Sequence, residues 1–153
     1  MEKYADISED GKYRYQLSRI WDSKKPVILF IMLNPSTADD TKDDPTIRRI
    51  INFAEFWGYG GIYVGNLYAF RSTDPKALQN TDDPTGSENI NTIKTLICKT
   101  EKVVYAWGNK KKEPEWLRNI VADPHCIDIS KKGNIPKHPG RLNKTLQLKK
   151  YIR

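Results

Sequence analysis

The sequence predicts a single α/β domain on a short, mostly parallel sheet, and three observations predict it. Four short apolar blocks recur along the chain, Val27–Leu33, Ile62–Phe70, Val103–Trp107 and Cys126–Ile129. Stretches with apolar residues at helical spacing separate them, which is the pattern of strands joined by helical crossovers. Finally, the blocks run into polar loops rich in Asn, Asp, Ser and Lys, where ligands of open parallel sheets bind. A chain of 153 residues buries enough surface to fold without a disulfide or a metal cluster.

Tyr13 to Ile20 alternates loosely and carries two tyrosines, so it reads as an edge strand or the first arm of a hairpin. Val27 to Leu33 is a continuous apolar run, expected where both faces of a strand are covered. Asn34 and Pro35 end it. Asp44-Pro45 then starts a helix, because the carboxylate caps free N–H groups and proline suits the first helical position. Ile47, Ile50, Ile51, Ala54 and Trp57 form its apolar face, with Arg48, Arg49 and Glu55 mostly on the other, and Gly58 stops it.

Gly61 introduces the second buried strand, which passes through Asn66 into a loop from Arg71 to Pro75. A second Asp-Pro pair, Asp83-Pro84, precedes a helix carrying Ile90, Ile93, Leu96 and Ile97. Val103–Trp107 is the third strand, closed by Gly108; Glu113–Val121 is a short helix; Cys126–Ile129 is the last strand. Lys131–Arg141 is a loop, and Leu142–Tyr151 reads as a closing helix. Cys98 and Cys126 have no metal-ligand or redox spacing and are expected to be inert residues in buried elements.

The formal charge of +7 comes from 26 Lys and Arg against 19 Asp and Glu, which favours nucleic acid or phosphorylated small molecules as partners. No apolar run is long enough for a membrane span, and the first residues lack a signal-peptide core, so a cytoplasmic protein without a membrane partner is expected.

Candidate site residues follow from the strand ends. Asn34 is expected at a pocket floor, where its amide holds a water or substrate oxygen, with Ser36 and Thr37 adding donors for a base or phosphate. Asn66, a polar interruption of an apolar strand, offers a donor and an acceptor side by side to a nucleobase edge. Arg71 beside Phe70 pairs a phosphate-binding fork with a stacking ring, and Trp107 is a second candidate ring. His138 and Arg141 lie in a lysine-rich loop, where a histidine stabilises a developing anion. The acidic residues Asp39, Asp43 and Asp44 are the alternative, as ligands of a hard cation. GxSxG, GxGxxG and GxxxxGK[ST] patterns are absent, and no cofactor is expected.

The strings RYQLSRIW, LNPSTADD, DDPTIRR, WGYGGIYVGNLYAFRSTDP and AWGN closely resemble the family known as domain of unknown function 1643. More distantly, Leu33-Asn34-Pro35-Ser36, Gly61 to Leu67, Val103 to Gly108 and His138-Pro139-Gly140-Arg141 resemble, in order and spacing, four segments of the uracil-DNA glycosylase superfamily. That resemblance implies a three-layer α/β/α sandwich. It makes Asn34 the residue that orients water at the sugar carbon, Asn66 the reader of the base, and His138 the stabiliser of the departing base anion. The late loop reads HPGR where that superfamily has HPSP, and the cysteines of its iron-sulfur branch are missing. Three activities are thus expected in turn: a glycosylase-like enzyme on a base or nucleotide, a non-catalytic nucleic-acid or nucleotide-binding module, and a metal-assisted phosphoester hydrolase.

Overall fold

The structure, a computed structural model, describes all 153 residues. A seven-stranded sheet has the order β1-β2-β4-β3-β5-β6-β9. Its centre is parallel: β3 (Val27–Met32) lies between β4 (Gly61–Asn66) and β5 (Lys102–Tyr105), and β6 (Pro124–Cys126) follows β5. Antiparallel strands flank it, β1 (Glu2–Ile7) and β2 (Arg14–Ile20) on one side and the short β9 (Lys149–Lys150) on the other. Two residues each of β7 (Ile129–Ser130) and β8 (Ile135–Pro136) form a small separate ribbon.

The apolar runs pack two cores because successive strand residues face opposite ways. Ile28, Phe30 and Met32 meet Ile47, Ile50 and Ala54 of α1 (Pro45–Phe56). Leu29 and Ile31 meet Ile93 and Leu96 of α2 (Asn89–Lys99) and Leu117 of α3 (Glu115–Ile120). The chain leaves β3 for β4 on one side and later crosses to β5 on the other, so the crevice between diverging connections opens at the carboxyl end of β3.

Asp44 caps α1 as expected, its carboxylate accepting from the Ile47 N–H at 2.9 Å. The same sequence at Asp82–Thr85 has another outcome. Asp83 accepts from the Gly86 N–H at 3.0 Å, Gly86 takes φ +87°, and α2 begins only at Asn89.

Several expectations are corrected. Arg14–Ile20 is the second arm of a hairpin, not an edge; the edge is β1, whose mainly polar, exposed or half-buried residues carry no strand pattern. Leu142–Tyr151 forms no helix. Leu142 and Leu146, at helical spacing, pack against the α1 core from turns, Asn143 diverts the backbone by accepting from the Thr145 N–H, and the segment ends in β9. Arg49 of α1 and Trp57, the residue after its end, strap it down through the carbonyls of Pro139, Leu142 and Leu146. Arg49 therefore faces this segment, not solvent. Cys126 is buried, but Cys98 is exposed, on the outer side of α2.

Candidate functional site

Extending the strand alternation past the apolar runs puts Asn34 in line with Phe30 and Met32, and Asn66 in line with Ile62 and Val64, on the α1 side of the sheet. There the ends of β3, β4 and β5, the start of α1 and the late loop enclose a cleft of about 320 Å³. Asn34, Ser36, Asn66, Trp107 and His138 all line it. That volume suits one base or nucleotide, at the small end of the roughly 300–1,000 Å³ range of ligand pockets.

Asn34 is half-buried, and its Nδ2 donates to the carbonyls of Pro35 (3.2 Å), Phe70 (3.4 Å) and Ser72 (3.0 Å). Those bonds orient the amide and leave its oxygen as the free acceptor. Asn66 is 2 % exposed, and its Nδ2 has no partner in the protein. Its backbone carbonyl is held by Asn89 Nδ2 at 2.9 Å, which also reaches the Leu67 carbonyl at 3.3 Å. Asn89, fully buried, thus fixes the end of β4. A polar residue within a helical apolar pattern was its only sequence signal.

His138 sits at the outer edge of the cleft, with Nδ1 accepting from the Gly140 N–H at 2.9 Å. That bond assigns the proton of the neutral ring to Nε2, which is then a donor. Gly108 takes φ +61°, and a Cβ there would lie 3.1 Å from His138 Cβ, so the strand-ending glycine makes room for the histidine loop. Asn109 and Lys110 continue in the left-handed region at φ +58° and +56°, a strained turn beside the cleft.

The other candidates lie elsewhere. Thr37 is exposed and off the cleft. Phe70 packs edge-on against the Tyr13 ring at 5.9 Å, beside a different hollow. Arg71 is turned to the carbonyls of Ser36 (3.4 Å) and Gly11 (3.3 Å), tying three loops together. Arg141 is exposed at φ +67°. Trp107, only 1 % exposed, is a wall of the cleft and part of the second core. The acidic residues separate: Asp39 closes its own turn through the Thr41 and Lys42 N–H groups, Asp43 pairs with Arg19 at 2.7 Å, and Asp44 caps α1 while lining the cleft. No three His, Cys, Asp or Glu side chains converge as metal ligands.

Both histidines titrate below their ordinary value of 6.5. Burial is the main cause for each; Asp44 opposes it and Arg49 adds to it at His138, while at His125 Asp123 opposes it and Lys102 and Lys150 add to it. The unfolded chain therefore binds these protons more readily, so stability falls as pH drops through 6.5. The shifted carboxylates, Asp10, Asp39 and Asp128, are lowered from 3.8, and their contribution is lost only at more acid pH. A melting temperature measured against pH should decline in two stages. The double variant His125→Asn, His138→Asn should lose the upper stage and keep the lower.

Fold and cleft define an α/β protein with a mixed sheet, parallel at its centre, and a polar cleft at the topological switch point. The chain matches the family described as protein of unknown function (DUF1643) over residues 14–140 and belongs to it. No curated protein and no solved structure matches the chain. No helix is long and apolar enough to cross a membrane.

Proposed function

We propose that this protein is a nucleobase- or nucleotide-processing enzyme of glycosylase type, hydrolysing an N-glycosidic bond, with a fold akin to the three-layer sandwich of uracil-DNA glycosylases. The observation that carries the reading is that Asn34, Asn66 and His138, far apart in sequence, line one cleft of base or nucleotide size. Asn34, its Nδ2 engaged by carbonyls, offers Oδ1 to orient a water at the sugar carbon. The buried amide of Asn66 lacks a partner and meets the edge of a base. His138, neutral near pH 7, donates from Nε2 to the oxygen on which charge develops as the base leaves. A base in a polymer would have to be flipped out to reach them.

The test is base release from free nucleotides and from single- and double-stranded oligonucleotides carrying uracil, mismatches, or oxidised or alkylated bases. Release by the native protein should fall by about 100-fold or more in Asn34→Ala and in His138→Ala. Equal rates in the variants, or no release from any substrate, would reject the reading.

A second reading, a nucleic-acid or nucleotide-binding module, is favoured by a groove of about 600 Å³ that shares Asn109 and His138 with the cleft and is flanked by Lys110, Lys112, Lys132 and Lys137. Of these, Lys137 is paired with Asp128 at 3.2 Å. A module would show salt-sensitive oligonucleotide binding that survives Asn34→Ala, with no base released.

A further inference from the structure

Two arginines on β2 are buried equally deeply and partnered very differently. Arg19, 0 % exposed, bonds Asp43 Oδ1 at 2.7 Å and the carbonyls of Ser18 (2.8 Å), Asp39 (2.5 Å) and Lys42 (3.2 Å). Arg14, 2 % exposed, makes one hydrogen bond, from Nη1 to the Ala38 carbonyl at 3.1 Å. Its Nε is sealed in without a partner. Its Nη2, also without a protein partner, is open to the cleft. No carboxylate oxygen lies within 4.0 Å of the guanidinium.

Alternation along a regular strand would send residues 14 and 19 to opposite faces. The register of β1 on β2 shifts between Asp6–Gln16 and Ile7–Arg14, leaving Tyr15 as an extra residue. That bulge turns Arg14 to the α1 side, where it lines the cleft with Asn66 and Asp44. Burial lowers the Arg14 pKa to about 10, with Asp44 opposing, so the group remains a cation at neutral pH. Asp44 is already engaged as the cap of α1. A buried cation with most of its donors idle is strongly unfavourable unless something else completes it.

We infer that Arg14 anchors an oxyanion: the cleft takes a ligand that presents a negatively charged oxygen to the Arg14 fork and a polar edge to the Asn66 amide. Two sources share this chemistry, an ionised keto group of a base and a phosphate of a nucleotide. The choice of probes rests on the nucleobase reading above; the anion site itself does not.

Calorimetric titration with barbiturate (a planar pyrimidine anion), inorganic phosphate and uridine 5′-monophosphate, with neutral uridine as control, tests it. At least one anion should bind the native protein and lose about 30-fold or more in affinity in Arg14→Met, while Arg14→Lys keeps part of it. Barbiturate alone would identify the base edge as the source, and phosphate and the nucleotide together the phosphate. The melting temperature of Arg14→Met should stay near or above that of the native protein, because the thioether fills the same space without a charge to solvate. Equal affinities in the two proteins, no anion bound by the native one, or a loss of stability as large as that of Arg19→Met would overturn the inference. Arg14-dependent anion binding without base release from any oligonucleotide or free nucleotide would keep the anion site and remove the glycosylase reading.

Discussion

Replacing Arg19 by methionine should destabilise the protein by about 3 kcal/mol or more, the range for removing one member of a buried ion pair. The guanidinium is fully enclosed, and its loss strips Asp43 of its close partner, leaving only Lys3 at 3.9 Å. The carbonyls of Asp39 and Lys42 lose a donor as well, so the loop between β3 and α1 is released at three points. That loop delivers Asp44 to its capping position and so sets the start of α1, one wall of the cleft. Equilibrium denaturation in urea measures the effect; a change under about 1 kcal/mol would mean that water replaces these bonds without cost.

Trp107→Ala should cost about 3–5 kcal/mol, the range for emptying a large aromatic from a core. The ring packs against Tyr105 at a centroid distance of 4.5 Å, and its Nε1 donates to the Lys111 carbonyl at 2.6 Å. It also borders the cleft, so the truncation should widen the site and weaken ligand binding along with stability. Trp107→Phe should lose less, about 1–2 kcal/mol, because the wall stays filled and only the Lys111 carbonyl gives up its donor. A Trp107→Ala protein as stable as the native one would make the ring a free stacking platform, not a structural wall.

Much of the site was legible because strand alternation is local. Once Val27–Leu33 and Ile62–Phe70 are read as parallel strands, alternation puts the polar residues Asn34 and Asn66 on one side of the sheet, Asn66 opposite Met32 and Asn34 two residues beyond it. The Asp-Pro start of α1 and the glycine after Trp107 were likewise local signals. Arg71 and Phe70 were misplaced for a related reason: sequence shows which groups leave a strand together, not which carbonyls or rings await them. The segment after Arg141 is not a helix, although Leu142 and Leu146 obey helical spacing, because the bonds that decide its course come from Arg49 on α1 and Trp57 just past its end.

By itself, then, the sequence determined the class of fold, the central parallel strands and two of the polar residues of the cleft, Asn34 and Asn66, since each follows from the periodicity and chemistry of a few consecutive residues. Only the tertiary structure decided which of two arginines five positions apart is satisfied by the protein and which is left idle. A one-residue bulge opposite β1 turns Arg14 to the side Arg19 already occupies, and the Tyr4 carbonyl of β1, the Ser18 carbonyl and the loop before α1 saturate Arg19 alone. Hydrogen-bond satisfaction of a buried charge depends on groups brought together across the fold, and no local pattern encodes it.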